Sequence, residues 1–184
     1  MNIINGKQFI VCQLNSIDEI TQAFLELKDS QFDRTIYEEG VFNAFIKKIA
    51  QFANTYVIIH KKNKDKETNS SYKNEIIGLI SFYANDEEKK HAFITMIVVK
   101  NIWQKHGFGE KLIEIAKSNS LKKGMETLGL WVHKENNNGI HFYKKQGFII
   151  FEQKESQYKM IKYLPPPPQT YNNPFLFLLF RPLF

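Results

Sequence analysis

The chain has little of what marks a secreted or membrane protein. Its 184 residues include one cysteine, Cys12, which cannot form an internal disulfide, so we predict a packing role for Cys12 and a reducing, cytoplasmic location. The first residues lack the basic start and apolar core of a signal peptide. No apolar run approaches the roughly 20 residues that span a bilayer. The five histidines show no metal-ligand spacing, which predicts that no metal is bound.

What is present fits one globular domain. The composition is 43% hydrophobic and 24% charged, which is too apolar for a disordered chain. The formal net charge of +6 suits an anionic ligand. The lysines are spread along the sequence, and no recognition helix, zinc knuckle or aromatic RNA-binding signature accompanies them. We therefore expect no nucleic-acid partner.

Hydrophobic periodicity predicts a succession of helices and strands. Ser16, with Glu19 three residues later, forms a capping box before an amphipathic helix. A second helix is predicted over residues 36–51, with an apolar face of Val41, Phe45 and Ile49. Two more helices are predicted, one from Gly107 to Gly124 and one over residues 136–146 closed by Gly147. Runs rich in β-branched and aromatic residues predict strands at residues 8–14, 56–59, 76–83, 92–99, 127–132, 148–151 and 158–164.

This order is β-α-α-β-β-β-α-β-α-β-β. It predicts an α/β fold, of the α+β type with a mixed sheet, in which a central β-sheet of about seven parallel and antiparallel strands is flanked by helices on both faces. Residues 92–99 are almost continuously apolar, as expected of a strand buried on both faces. Residues 61–74 are polar and charged, which predicts an exposed hairpin loop. The domain is expected to occupy residues 1–164.

The last residues differ in composition from this domain. Pro165 to Pro168 are expected to form a stiff polyproline linker, and residues 173–184 are mostly apolar. The tail of residues 165–184 is too short to span a bilayer and too apolar to lie favourably in water. Docking on the domain, contact with a second subunit in a homodimer, contact with a membrane surface, and an extension without a selected role all stay open.

A glycine-containing loop between a strand and a helix indicates a phosphate site. A strand ends at Val99, and Gly107 and Gly109 follow just before the next helix. Backbone amides in such a turn point at the loop's centre, and the helix N-terminus adds roughly half a positive charge. Two common nucleotide motifs do not fit this loop. Leu112 stands where a dinucleotide-binding loop has its third glycine, and Glu110 follows Gly109 where a P-loop has its lysine.

Two spaced motifs resemble the hallmarks of the GNAT superfamily of N-acetyltransferases. The first is Q/R-x-x-G-x-G/A, met here by Gln104-Lys105-His106-Gly107-Phe108-Gly109. The second is V-x-x-x-N-x-x-A-x-x-F-Y-x-x-x-G-F, met here by Val132-x-x-x-Asn136-x-x-Gly139-x-x-Phe142-Tyr143-x-x-x-Gly147-Phe148. The resemblance is clear over residues 75–164 and weaker over residues 8–60. It implies the superfamily's fold and the transfer of an acetyl group from acetyl-CoA, without a metal.

The resemblance also implies a role for each motif residue. The pyrophosphate of coenzyme A would be bound by backbone amides of Gln104, Lys105, His106, Gly107, Phe108 and Gly109. Ile97 and Val99 would pair their main chain with the pantetheine arm, and Asn136 would help to hold that arm. Tyr143 would protonate the departing thiolate. Splaying of the two strands that precede the motifs would open a slot through which the thioester reaches the acceptor.

The acceptor is expected to be a small-molecule primary amine. An amide at Val98 would stabilise the developing oxyanion. Some relatives have a catalytic glutamate where Ile94 stands, and residues 92–99 carry no carboxylate. A lysine-like amine, with a pKa of about 10.4, would need a base, whereas an amine beside electron-withdrawing groups titrates near about 8. We therefore expect an amino sugar or sugar nucleotide that attacks directly in a ternary complex, with a water relay to Glu87, Glu88 or His91.

Residues 82–86 and 92–94 are also similar to acetyltransferases associated with bacterial surface-polysaccharide synthesis, which agrees with such an acceptor. Two other classes of function stay open. One is a protein or aminoacyl-tRNA N-acetyltransferase, and the other is a non-catalytic acyl-CoA-binding module.

Overall fold

The computed structural model describes residues 2–4, 7–30, 35–38, 40–61 and 74–165. The predicted tail beyond residue 165 and most of the predicted loop at residues 61–74 lie outside these ranges. The helices are α1 (Ile17–Glu26), α2 (Val41–Phe52), α3 (Phe108–Lys122) and α4 (Asn137–Lys145). The strands are β1 (Asn2–Ile4), β2 (Lys7–Leu14), β3 (Asn54–Lys61), β4 (Glu75–Asp86), β5 (His91–Val99), β6 (Thr127–His133), β7 (Ile149–Gln153) and β8 (Gln157–Tyr163). No helix within the described ranges combines the length and apolar character that crossing a bilayer requires.

The eight strands of the described residues form one mixed sheet in the order β1-β2-β3-β4-β5-β6-β8-β7. Neighbouring strands are antiparallel except β5 and β6, which are parallel. Parallel neighbours need a long crossover, and α3 supplies it. The predicted α/β fold and the predicted order of elements are confirmed, and β1 adds one short strand at the edge beside β2.

Helices cover the sheet on both faces and enclose two apolar cores. On the α3 face, Phe108 packs in a cluster that includes Ile80 of β4. On the α1–α2 face, Phe24 packs in a cluster that includes Leu79, and Cys12 of β2 packs against this cluster. Adjacent strand residues point to opposite faces, so neighbouring residues of β4 belong to different cores. The central strand β4 is therefore buried on both sides.

β5 is less buried than its apolar sequence predicts. Buried residues run without a break over 77–82 in β4. In β5, by contrast, only Ala92, Ile94 and Val98 are fully buried, and the rest are half-buried. The cause is that β6 accompanies β5 for less than half of its length, as described below. The strand predicted to be buried on both faces is thus flanked by an opening.

The starts of the first two helices differ in how well local sequence predicts them. The Ser16 hydroxyl accepts the Glu19 amide at 3.2 Å and the Glu19 carboxylate accepts the Ser16 amide at 3.3 Å, so the predicted capping box is confirmed. α2 begins at Val41 rather than at residue 36, because Gly40 adopts a left-handed conformation with φ +80°. The predicted stripe is wrong at Val41, which is 44% exposed. The buried residues of α2 are Ile46 and Ile49.

Candidate active site

A β-bulge in β5 separates this strand from β6. Met96 pairs with Ser81 on β4, and Ile94 pairs with Phe82, so Thr95 between them has no partner on β4. The bulge increases the local twist and bend of the strand. On its other side β5 pairs with β6 only over four residue pairs, from His91 with Thr127 to Ile94 with Leu130. Beyond them residues 95–99 and 131–133 are unpaired with each other, and a slot opens through the sheet.

The slot has backbone amides on its β5 side. The Lys100 amide donates to the Ile77 carbonyl of β4 at 2.8 Å. Amide directions alternate along a strand, so the Val98 amide also faces β4, while those of Ile97 and Val99 face the slot. The Val98 side chain is buried in the core of the α1–α2 face. Of the three residues, Ile97 and Val99 are placed to pair with an arm in the slot, and the predicted oxyanion role of the Val98 amide does not match its direction.

The predicted phosphate-binding loop, residues 100–109, follows directly from the end of β5, and we refer to it as the cradle. Its loop turns through a short 3-10 turn, Asn101–Trp103, and ends at Gly107, which has φ +82° and caps α3 without a side-chain hydrogen bond. The first amides of α3 are therefore available to an anion. A Cβ at Gly107 would meet no atom within 4 Å, so the space beside the helix start is open. These features fit the pyrophosphate of coenzyme A.

Side chains hold the shape of this loop. Gln104 donates to the Val99 carbonyl at 3.1 Å and to Asn101 Oδ1 at 3.0 Å. His106 Nδ1 lies 2.7 Å from the Gln104 carbonyl. Lys105 has φ +62°, a left-handed conformation that is unusual for a residue with a side chain. Gln104, Lys105 and His106 are all exposed, so this part of the loop faces solvent, and its own hydrogen bonds contribute to its conformation.

Aromatic packing joins the loop to the sheet. The half-buried Trp103 ring lies 5.5 Å from the Phe9 ring and 6.0 Å from the Phe108 ring, both edge-on. Gly109 provides the contact with α4: a Cβ there would lie 3.0 Å from Phe142 Cζ. The cradle is thus packed between the sheet and α4, and its second glycine is required by space rather than by backbone conformation.

Asn136 caps α4. Its Oδ1 accepts the Gly139 amide at 2.8 Å, and a Cβ at Gly139 would lie 2.7 Å from Asn136 Nδ2. An alanine at this position, as in the superfamily pattern, would require the Asn136 side chain to shift. Because Asn136 Oδ1 accepts a hydrogen bond from the helix backbone, the main effect of this side chain is to fix where α4 starts and in which direction it runs. Any contact with the pantetheine arm would be made by the Nδ2 group of Asn136.

Tyr143 lies on α4 and packs, half-buried, against the core of the α3 face, as Ile97 and Val99 do. Its ring is 5.3 Å from the Phe142 ring and 5.9 Å from the Phe148 ring. Burial among these rings raises the pKa of the Tyr143 phenol to about 12. The phenol therefore stays protonated at neutral pH and can serve as a hydrogen-bond donor on this side of the slot.

The three predicted base residues lie at the other end of β5. Glu87 and Glu88 are exposed in the turn before β5, and His91 is its first residue. At about 3.3 Å per residue, His91 is roughly 13 Å from the bulge at Thr95 and still farther from Val99. His91 Nδ1 is 2.7 Å from Thr127 Oγ1, and burial, followed by the charge of Lys159, lowers the pKa of His91. The structure does not bring these groups to the slot.

Two aromatic residues that the motifs do not include border the slot on its α1–α2 face. β6 alternates, so Leu130 and Val132 point into the core of the α3 face while Trp131 and His133 point to the opposite face. The Lys154 ammonium lies 4.5 Å from the centre of the Trp131 ring. The period-two pattern of residues 127–133 predicts that these two side chains share a face, but only the observed divergence of β5 and β6 places them beside the slot. Within the described ranges no three His, Cys, Asp or Glu side chains are grouped as metal ligands.

The start of α3, with Gly107 and Gly109, lies beside the opening between the parallel strands β5 and β6, so an anionic group with an attached arm could bind across the two features. The model of the acetyltransferase (GNAT) family matches residues 19–148. The chain therefore belongs to the GNAT family, whose members are acyl-CoA-dependent N-acetyltransferases, and the resemblance predicted from the motifs is confirmed.

Solved structures share this fold. An acetyltransferase from Thermoplasma acidophilum, PaiA, determined with coenzyme A, is 19% identical, with 85% of this chain and 99% of that chain covered and a TM-score of 0.62. The IAA acetyltransferase of Bacillus cereus is 18% identical, with 85% and 100% covered and a TM-score of 0.60. The ribosomal-protein-S18-alanine N-acetyltransferase of Escherichia coli is 14% identical, with 89% and 98% covered and a TM-score of 0.62. At these identities the likeness establishes the fold.

Proposed function

We propose that this protein transfers the acetyl group of acetyl-CoA to a primary amine of a small molecule, such as an amino sugar or a sugar nucleotide, by direct attack in a ternary complex. The observation that carries the proposal is the slot between β5 and β6, which begins at the Thr95 bulge and ends beside the start of α3, where no side chain caps the helix. The proposal places the reaction in the cytoplasm, in agreement with the single cysteine.

The donor side of the site is formed by backbone groups. The amides of residues 104–109 would bind the pyrophosphate, with the N-terminus of α3 adding favourable electrostatics. The amides of Ile97 and Val99 would pair with the pantetheine arm in the slot, as an added strand pairs with a sheet edge. Because the Val98 amide faces β4, the oxyanion would instead accept a hydrogen bond from whichever of these two amides the pantetheine arm leaves free. Acetyl-CoA supplies the activated thioester, and the chain supplies its orientation.

Tyr143 is proposed to assist the leaving group. A phenol with a pKa of about 12 is a weaker acid than a thiol, whose ordinary pKa is about 8.5, so complete proton transfer to the thiolate is unfavourable. The residue would instead donate a hydrogen bond that stabilises charge on the departing sulfur. The proton released by the attacking nitrogen would be transferred to the thiolate sulfur, so the products are the amide and the free thiol of coenzyme A. Tyr143 is not ionised in this step.

The choice of acceptor depends on the absence of a carboxylate from β5 and β6, the two strands that border the slot. β5 and β6 carry no acidic side chain, and Glu87 and Glu88 lie in the distant turn. An amine with an ordinary pKa of about 10.4 would remain almost wholly protonated there, whereas one that titrates near about 8 would be partly free. Amino sugars belong to the second kind. One of the solved structures with this fold is an N-acetyltransferase of ribosomal protein S18, so the assay must also include a protein acceptor as the alternative.

The test is a thiol-release assay with acetyl-CoA and a panel of amino sugars, sugar nucleotides, polyamines, amino acids and lysine peptides. We expect an amino sugar or sugar nucleotide to give the highest kcat/KM. Tyr143→Phe should lower kcat about 10–100-fold, because it removes a hydrogen bond to a charged group. The matched control is Tyr163→Phe, on the exposed end of β8, which should leave kcat unchanged.

Other outcomes decide between the alternatives. Preferential acetylation of lysine peptides would replace the small-molecule acceptor with a protein acceptor. Binding of acetyl-CoA without acetylation of any amine would indicate a non-catalytic acyl-CoA-binding module. An unchanged kcat in Tyr143→Phe would remove the proposed role of this residue.

A further inference from the structure

Three charged side chains that belong to neither motif meet where the cradle loop leaves the sheet. The Lys100 ammonium lies 3.0 Å from Glu26 Oε1, at the end of α1, and 3.1 Å from Glu75 Oε1, at the start of β4. Their side chains are 20%, 34% and 17% exposed, so the group is largely shielded from water. We refer to Lys100, Glu26 and Glu75 as the charged triad.

The triad is more than a surface ion pair. Glu26 Oε1 also accepts the Ile76 amide at 3.1 Å, so one carboxylate oxygen joins α1 to both β4 and the end of β5. Exposed ion pairs contribute little, but removal of one partner from a shielded pair leaves a charge uncompensated. Burial acts to lower the pKa of Lys100, yet the bonds to Glu26 and Glu75 outweigh it and raise that pKa. The lysine therefore stays charged and held in place.

The backbone of Lys100 connects the triad to the cradle. Its amide donates to the Ile77 carbonyl, and its own carbonyl accepts the Trp103 amide, both at 2.8 Å. Lys100 is thus the last residue bonded to β4 and the first residue of the turn that leads to Gly107. The direction in which the loop leaves the sheet is set at this residue. Since its ammonium is engaged by two carboxylates, it is not free to bind a phosphate.

We propose that Lys100 is a positioning residue: held by Glu26 and Glu75, it fixes the cradle loop in the geometry that binds the pyrophosphate of coenzyme A. This inference rests on the proposed function of the cradle. It adds two elements, α1 and the start of β4, to the parts of the fold on which donor affinity depends. It also predicts that a change at the triad affects binding of the pyrophosphate rather than the reaction in the slot.

The test compares two acetyl donors. Acetyl-CoA contains the pyrophosphate, whereas S-acetylpantetheine has the same thioester arm without it. In Lys100→Met we expect KM and the calorimetric Kd for acetyl-CoA to rise about tenfold, which is about the loss of one hydrogen bond between the loop and the charged pyrophosphate. The kcat with acetyl-CoA and the kcat/KM with S-acetylpantetheine should stay within about twofold of the wild type. Lys100→Arg, which keeps the charge, should restore part of the affinity.

Two further variants keep the test independent of folding defects. Glu26→Gln changes the most exposed member of the triad and should raise the Kd for acetyl-CoA in the same direction. Lys117→Met is the matched control, because it removes a lysine that pairs with Glu114 on the surface of α3 at 2.6 Å. This variant should change the kinetic constants for neither acetyl-CoA nor S-acetylpantetheine.

The results separate this inference from the proposed function. An equal loss with both donors would mean general damage to the site and would overturn the positioning role. Unchanged acetyl-CoA affinity in both Lys100→Met and Glu26→Gln would also overturn it. If the wild-type protein neither binds nor uses acetyl-CoA, the proposed function fails, and the inference fails with it.

Discussion

Gly109→Ala tests whether the second glycine of the cradle is required for space. The added methyl carbon would lie 3.0 Å from Phe142 Cζ and 3.2 Å from Cε2. Carbon atoms pack favourably at about 3.5–4.0 Å, so the ring must move by about 0.5–1 Å. Such overpacking costs about 1–3 kcal/mol, while replacing glycine with alanine in a helix recovers up to about 1 kcal/mol. We expect the free energy of unfolding to fall by about 0–2 kcal/mol.

The decisive measurement is a double-mutant cycle with Phe142→Leu. Leucine removes the ring atoms that approach Gly109, so the two changes together should cost less than the sum of their separate costs. We expect a favourable coupling of about 1–2 kcal/mol in urea unfolding, with an unchanged dependence on denaturant. The KM for acetyl-CoA should rise in Gly109→Ala, because Phe142 lies on α4 next to Tyr143, and should recover in the double variant. Additivity within about 0.5 kcal/mol would refute the steric argument.

Two other substitutions test features of the backbone and of burial. Gly107→Ala should lower the free energy of unfolding by about 1–2 kcal/mol through the strain of φ +82° alone, since nothing lies within 4 Å of the new methyl; a thermal midpoint equal to that of the wild type would contradict this. The pKa of His91 is lowered in the folded protein. Below about pH 6.5 the unfolded chain therefore binds a proton at His91 more readily than the folded protein does, and the free energy of unfolding decreases as the pH is lowered. His91→Asn should therefore lose less stability than the wild type between pH 7 and pH 5.5 in urea unfolding; parallel losses in the two proteins would exclude this source of pH dependence.

Features encoded by neighbouring residues could be predicted from the sequence. The Ser16 capping box needs two residues three positions apart, and both make the expected bonds. Gly124 and Gly147, which follow the C-terminal ends of α3 and α4, both have the positive φ that is typical of this position. The order of helices and strands follows from hydrophobic periods of two and 3.6 residues, which local sequence contains.

Features that depend on distant partners could not be predicted in this way. The bulge at Thr95 appears only when β5 is aligned with Ser81 and Phe82 of β4. The Lys100 and Glu26 ion pair joins residues 74 positions apart, and nothing near either residue indicates the other. Glu87 and Glu88 are close in sequence to β5, the strand that borders the slot. They precede its first residue, His91, and therefore lie at the end of β5 that is far from the slot. Sequence reasoning placed these groups beside β5 without giving their position along that strand.

The short contact between β5 and β6 has a consequence for the stability of the whole molecule. Within the sheet, four residue pairs join strands β1–β5 to strands β6–β8, so few backbone hydrogen bonds connect these two groups of strands along the slot. A donor bound in the slot, as proposed above, would contact both groups and add interactions between them. By mass action, donor at 100 times its Kd would add about 2.7 kcal/mol to the free energy of unfolding. The protein's resistance to unfolding would then rise and fall with its supply of donor.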